Sequence, residues 1–80
     1  MPKATKYLLS MGELKRKDNS LVFKNDLGNI YIPIENIREI YCLNEISINT
    51  KVLILLSTAG VVVHFFNYYG HYTGTFYPRE

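Results

Sequence analysis

Two histidines are the side chains best suited to hold a metal ion in this chain. His64 and His71 lie seven positions apart, and Glu45 and Glu80 are the conceivable carboxylate partners. His64, however, lies in the hydrophobic run of residues 61–66, where a lone histidine is more often a hydrogen-bonded core residue than a ligand. The sequence has no recognisable nucleophile motif and no Gly-rich phosphate-binding loop. We therefore predict that this chain contains no catalytic residue and no metal site.

A basic segment lies in the first third of the chain. Lys15, Arg16 and Lys17 are consecutive, and six of the nine basic residues fall within the first 24 positions. Such a segment can contact DNA phosphates without reading bases. It can also be the solvated tip of a hairpin that keeps an edge strand soluble. The net charge of +2 is too small to decide between the two interpretations.

Residues 65–77 hold seven of the eleven aromatic side chains. Such side chains can stack on unpaired bases, fill a thin core or form a protein interface. Stacking platforms normally alternate with Lys and Arg, and Arg79 is the only basic residue after position 65. Core and interface are therefore favoured, and because so many aromatics leave an apolar patch on a small domain, we predict a two-fold dimer. The predicted interface residues are Phe65, Phe66, Tyr68, Tyr69 and Tyr72.

Short strands and one helix are predicted to position these residues. Residues 7–9 form a first strand that ends at Ser10, Met11 and Gly12, and residues 13–17 and 21–24 form a hairpin. Ile30, Ile32 and Ile34 alternate in a strand that Pro33 places at a sheet edge or near its own end.

The second half of the chain contains the predicted helix. Residues 37–43 form a strand interrupted by the charged residues 38 and 39. The periodicity changes over residues 50–59 to that of a helix, with Asn49 or Thr50 as N-cap and Gly60 after its end. Residues 61–66 form a central strand covered on both faces, and residues 68–77 form a last hairpin or strand ending at Pro78. The predicted fold is mainly β (α+β), a small β-sandwich or bent sheet with one packed helix.

Composition restricts the chain to one small globular domain. It has 80 residues, of which 48% are hydrophobic, which is enough for one thin core. Cys42 is the only cysteine, so no intrachain disulfide can form, and we interpret it as a small buried hydrophobic residue. There is no signal peptide and no apolar stretch long enough to cross a bilayer. The expected compartment is the cytoplasm, without a membrane partner.

Several local strings resemble one family in both order and spacing. YLLSMGELKRKDNSLVF at residues 7–23, IPIENIREI at residues 32–40 and VVVHFFNYYGHYTGTFYPRE at residues 61–80 are similar to the start of the CRISPR-associated spacer-acquisition integrase. The resemblance covers nearly the whole chain. It implies an N-terminal β-sandwich domain over residues 1–80, followed in the parent protein by a helical catalytic domain that this chain lacks.

The resemblance also implies a division of labour. A Glu, a His and an Asp of the helical domain would bind Mg²⁺ or Mn²⁺ and cut or join DNA, so His64 and His71 have no catalytic role. The N-terminal domain would form the homodimer and help to hold DNA, while the second CRISPR adaptation protein would bind through the missing domain. Some relatives place an aromatic wedge against the DNA end where this chain has Met11. The alternative is a free-standing protein-interaction module without a nucleic-acid role.

Overall fold

The computed structural model describes residues 3–78. In these residues eight strands form two sheets, and one 3₁₀ turn and one α-helix connect strands. The elements, in chain order, are β1 Ala4–Leu8, β2 Gly12–Lys17, β3 Ser20–Asn25, β4 Gly28–Ile32, the 3₁₀ turn Ile34–Asn36, β5 Ile37–Cys42, β6 Ile46–Ser47, α1 Thr50–Ala59, β7 Val62–Phe66 and β8 Tyr72–Phe76. No helix in this part of the chain is long and apolar enough to cross a membrane.

The first sheet has the strand order β1-β5-β7-β8. Its first three strands run parallel and β8 returns antiparallel to β7. Because neighbouring parallel strands need a crossover, the chain leaves β5 through β6 and α1 before it returns as β7. The parallel pairing of β1, β5 and β7 joins segments that are far apart in sequence.

The second sheet has the order β4-β3-β2-β6 and is made mainly of two hairpins. Asp18 turns the first hairpin with a positive φ of 56°. Asn25 closes the second, since its Oδ1 accepts a hydrogen bond from the Leu27 amide at 2.9 Å. The hairpin predicted from residues 13–17 and 21–24 is confirmed, and β4 lies at the sheet edge as Pro33 indicated.

Helix α1 begins and ends where the sequence predicts. Asn49 Oδ1 accepts a hydrogen bond from the Val52 amide at 3.1 Å. Gly60 ends the helix in the left-handed region, at φ 74°, and its amide reaches the carbonyls of Leu56 and Ser57. The buried side of α1 packs on β2 and the 3₁₀ turn.

One core joins the two sheets and the helix, which confirms the β-sandwich with one packed helix. The inward residues of both sheets and of α1 form a single buried cluster, whose members are Leu8, Leu14, Leu21, Phe23, Ile32, Ile34, Ile37, Ile40, Cys42, Val52, Leu55, Leu56, Val61 and Val63.

Three local predictions need correction. Residues 38 and 39 do not end β5, which runs from Ile37 to Cys42; instead the pairing with β1 skips Arg38 between Ile37 and Glu39, an irregularity that leaves Arg38 exposed while Ile37 and Ile40 stay buried. Ile30 is 45% exposed at the margin of the second sheet, whereas Ile32 is buried at the end of β4 and Ile34 is buried in the 3₁₀ turn instead of in the strand. Strand β7 is interior but not covered on both faces, since Val63 is buried while the residues that alternate with it are only half-buried.

Candidate functional site

A row of aromatic rings crosses the outer face of the first sheet. Tyr7 is in register with Tyr41, and Tyr41 with His64, so the three side chains stand side by side on β1, β5 and β7. Their rings stack, with centroids 5.3 Å apart for Tyr7 and Tyr41 and 4.5 Å apart for Tyr41 and His64. Parallel pairing brings together residues from positions 7, 41 and 64, which no local sequence pattern connects.

Phe66 and Tyr72 extend this row toward the sheet edge. The Phe66 ring lies 6.2 Å from Tyr41 and meets Tyr72 edge-on at 5.7 Å. We call Tyr7, Tyr41, His64, Phe66 and Tyr72 the aromatic face. Its outer members remain accessible, with Tyr7 56% and Tyr72 60% exposed. Large rings that carry hydroxyl groups are well suited to a protein interface, since they combine an apolar body with a polar tip.

His64 is held by hydrogen bonds on both ring nitrogens. Its Nε2 donates to Glu39 Oε2 at 2.9 Å, and its Nδ1 lies 3.2 Å from Thr75 Oγ1. The hydrogen bond from His64 is the main cause of the lowered pKa of Glu39. The charges of His64 and Arg38 and a hydrogen bond from Thr5 also lower it, while desolvation opposes the shift. The hydrogen-bonded interpretation of His64 is therefore correct, although the side chain belongs to an outer face rather than to the core.

In the part of the chain that the structure describes, the histidine and carboxylate candidates for a metal site do not come together. Within residues 3–78, no three His, Cys, Asp or Glu side chains form a group that could hold one. His71 lies in the exposed β7–β8 turn, where its amide donates to Asn67 Oδ1. Glu45 is an exposed residue just before β6, and Glu80 lies outside the described residues.

The predicted interface residues do not share one surface. Phe65 alternates with the outer residues of β7 and packs against the core. Phe66 and Tyr72 belong to the aromatic face. Tyr68 and Tyr69 lie in the β7–β8 turn, 62% and 81% exposed, with their rings in edge-on contact. Strand alternation thus places Phe65 and Phe66 on opposite faces of β7, and the parallel register places Tyr7 and Tyr41 on the same face as Phe66.

The three basic residues of the first hairpin also divide between faces. Lys15 and Lys17 point outward from the second sheet, and both are exposed. Arg16 is paired with the buried Leu21 on the opposite side of the strand. Its guanidinium donates from Nε to the carbonyl of Asp18 at 2.7 Å and lies 3.4 Å from Asn19. Arg16 thus contacts the hairpin turn, whereas Lys15 lies 3.9 Å from the Glu13 carboxylate and Lys17 is exposed.

Met11 borders an open cleft between the two sheets. The side chain is 58% exposed, and the cleft of about 660 Å³ also contacts Glu13, Lys24, Glu45 and Phe65. This accessible apolar side chain is compatible with contact to a DNA end, which stays a prediction.

Cys42 lies in the core, 1% exposed. Burial raises the pKa of its thiol to about 12, because the charged thiolate loses its hydration there. Cys42 is therefore a packing residue, as the sequence predicts.

Comparison with known proteins identifies one family. A family model described as CRISPR associated protein Cas1 matches residues 6–80. The CRISPR-associated endonuclease Cas1 2 of Thermodesulfovibrio yellowstonii is 51% identical over 78 residues, which are 98% of this chain and 24% of that protein. A solved Cas1 structure from Thermotoga maritima superposes with a TM-score of 0.89 at 44% identity, over 96% of this chain and 25% of that one. A Cas1 bound to DNA has the same fold, with a TM-score of 0.82 at 13% identity over 99% of this chain and 31% of that one.

Proposed function

Because the chain belongs to the CRISPR-associated Cas1 family, we propose that it is the N-terminal dimerisation and DNA-positioning domain of a metal-dependent DNA endonuclease and integrase that acquires new spacers. The chain spans about a quarter of the length of the curated relatives it matches. A relative of that length has room for a catalytic domain beyond this match. The observation that carries the proposal is that 98% of this chain matches, at 51% identity, about a quarter of a protein named CRISPR-associated endonuclease.

Catalysis would lie in the remainder of the parent protein. There, the family resemblance implies a Glu, a His and an Asp that hold Mg²⁺ or Mn²⁺. The chemistry of residues 3–78 supports this division, because both nitrogens of His64 are engaged by Glu39 and Thr75. The role of the present domain is then to assemble and orient.

The aromatic face is the surface we propose for pairing with a second copy. The face is mostly aromatic and its outer rings are exposed, and the Glu39 carboxylate beside it contacts His64 at 2.9 Å and Arg38 at 3.6 Å. An exposed cluster of rings without free charge is typical of interfaces. Tyr68 and Tyr69, at the neighbouring turn, would extend the contact.

The DNA role rests on the opposite sheet. Lys15 and Lys17 are exposed on one side of β2, with Lys15 Nζ 3.9 Å from the Glu13 carboxylate, and both can neutralise phosphates. One solved protein of this fold is a Cas1 bound to DNA. We further propose the second CRISPR adaptation protein as a partner of the helical domain, and the cytoplasm as the compartment, consistent with a cysteine that forms no disulfide.

Nuclease assays with Mn²⁺ test the division of labour. The 80-residue chain should leave duplex DNA intact, while the same chain extended by the helical domain should cleave it. Cleavage by the 80-residue chain alone would refute the proposal. Failure of the extended protein to cleave, together with no DNA binding, would instead favour a free-standing interaction module.

Sedimentation velocity tests the dimer. Tyr72→Lys places a charge in the aromatic face and should shift the protein toward monomer. Leu27→Lys is the matched control, because Leu27 is 95% exposed in the β3–β4 turn and should leave the association unchanged. A wild-type chain that remains monomeric at micromolar concentration, or equal effects of the two substitutions, would contradict the aromatic face as the interface.

A further inference from the structure

The outer face of the second sheet carries a regular arrangement of side chains. Strand pairing aligns Lys15, Val22 and Tyr31 in one row across β2, β3 and β4. A neighbouring row contains Lys24, paired with Glu13 on one side. All of these alternate with inward residues of the core, so they share the outer face.

Val22 shows that this face is organised. It points away from the core, yet it is only 6% exposed. Val22 lines a groove of about 280 Å³ together with Lys15, Arg16, Lys17, Lys24, Asn29 and Tyr31. Lysine stems can cover apolar surface while their ammonium groups stay in water. The lysines therefore surround the buried Val22 side chain. The charges of a solvated hairpin tip would share no such apolar contact.

The charge of the face is positive. Lys15, Lys17 and Lys24 oppose one carboxylate, Glu13, which lies 3.9 Å from Lys15 Nζ. Residues two apart on a strand are about 6.8 Å apart. Lys15 and Lys17 are thus about 6.8 Å apart along one side of β2, and Lys24 stands diagonally from Lys15 on β3.

We infer that this lysine face, formed by Lys15, Lys17, Lys24 and Tyr31, binds the phosphate backbone of duplex DNA. The inference rests on the proposed function and adds to it the surface and two residues, Lys24 and Tyr31. The ammonium groups would contact successive phosphates, and the exposed Tyr31 hydroxyl would donate to a phosphate oxygen. Contacts of this kind position a duplex without reading its sequence. Arg16 is not among them, because its guanidinium is bound to the hairpin turn.

Fluorescence anisotropy with a blunt labelled duplex, repeated over a salt series, tests the inference. The double variant K17Q/K24Q removes two charges from the face, and K3Q/K51Q removes two exposed charges elsewhere. The slope of log affinity against log salt should become shallower by about 1.8 for K17Q/K24Q, since each phosphate contact contributes about 0.9. The control pair should keep the wild-type slope, and so should Arg16→Gln. Tyr31→Phe should weaken binding by about 2- to 10-fold at unchanged slope.

The possible failures are distinguishable. Equal slopes for K17Q/K24Q and K3Q/K51Q would mean that net charge alone attracts DNA, which overturns the lysine face. A loss confined to Arg16→Gln would also overturn it, while leaving the DNA role of the domain intact. A wild-type chain that does not bind duplex even at low salt would refute both. Circular dichroism of each variant shows whether a loss reflects unfolding.

Discussion

Gly12 is the position at which an added methyl group should disturb the sandwich most directly. An ideal Cβ at Gly12 would lie 2.6 Å from the carbonyl oxygen of Lys24 and 2.6 Å from two carbons of the Phe23 ring. Normal contacts are about 3.5–4.0 Å. The obstacle is a backbone atom of β3 and a ring that is 2% exposed, so neither can move aside without shifting the core.

Overpacking of this kind destabilises by about 1–3 kcal/mol. That is a large fraction of the total for 80 residues, which is about 4–12 kcal/mol. Gly74→Ala is the matched control, because a Cβ there meets nothing within 4 Å and its φ is not positive. Both substitutions restrict the unfolded chain equally, which by itself stabilises by about 0.4–1 kcal/mol. The difference between the two variants therefore isolates the packing effect at Gly12.

Urea unfolding followed by circular dichroism measures this difference. With an m-value of about 1 kcal/mol per molar urea, the Gly12→Ala midpoint should fall about 1–3 M below that of Gly74→Ala. The chain has no tryptophan and seven tyrosines, so tyrosine fluorescence supplies a second probe. Coincident midpoints for the two variants would refute the close approach of β2 and β3 at this residue.

Three further predictions concern single side chains. Cys42 should resist iodoacetamide at neutral pH in the folded chain and react once urea unfolds the chain, because burial raises the pKa of its thiol to about 12. Rapid alkylation of Cys42 in the folded chain would contradict its burial. Ionised Glu39 stabilises the fold, because its pKa is lowered from 4.5 in the folded state. Glu39→Gln should therefore lower the free energy of unfolding at neutral pH, and the gap in unfolding free energy between variant and wild type should shrink as the pH falls below 4.5 through that lowered pKa. A gap in urea melts that does not change with pH would argue against the His64 contact. Asn49→Ala should lower the free energy of unfolding by about 1 kcal/mol, because the hydrogen bond from the Val52 amide is lost, whereas Asn49→Asp should keep that hydrogen bond. Equal urea midpoints for the two variants would show that the cap does not stabilise the fold.

Local signals in the sequence were sufficient for the helix and the hairpin strands, whereas the 3₁₀ turn Ile34–Asn36 and the two-residue β6 were not predicted. The helix was predictable because Asn49 satisfies free amides at its start and Gly60 accepts the left-handed conformation at its end. The first hairpin was predictable because residues 18–20 favour a turn between two short runs. Each of these features depends on residues within a few positions of one another.

Side-chain grouping was harder to predict, since it depends on strand pairing. Phe65 and Phe66 are neighbours in sequence but lie on opposite faces of β7, as do Arg16 and Lys17 on β2. Tyr7 and Tyr41 showed no sequence signal for an interface, because only the parallel register of β1 and β5 brings their rings together. The prediction that β7 is covered on both faces was wrong for a related reason. A hydrophobic run indicates that a strand lies inside a sheet, but it does not indicate whether a second layer packs on the outer face of that strand.

The sequence by itself determined the helix and most of the strands in their order, the absence of an intrachain disulfide and, through strings shared with relatives, the family. These follow from short-range preferences and from residue identity. Only the tertiary structure decided which side chains share a surface, namely the aromatic face on one sheet and the lysine face on the other. The physical reason is that long-range strand register, set by packing of the common core, selects those neighbours, and a shift of one residue would turn each strand's side chains to the opposite face.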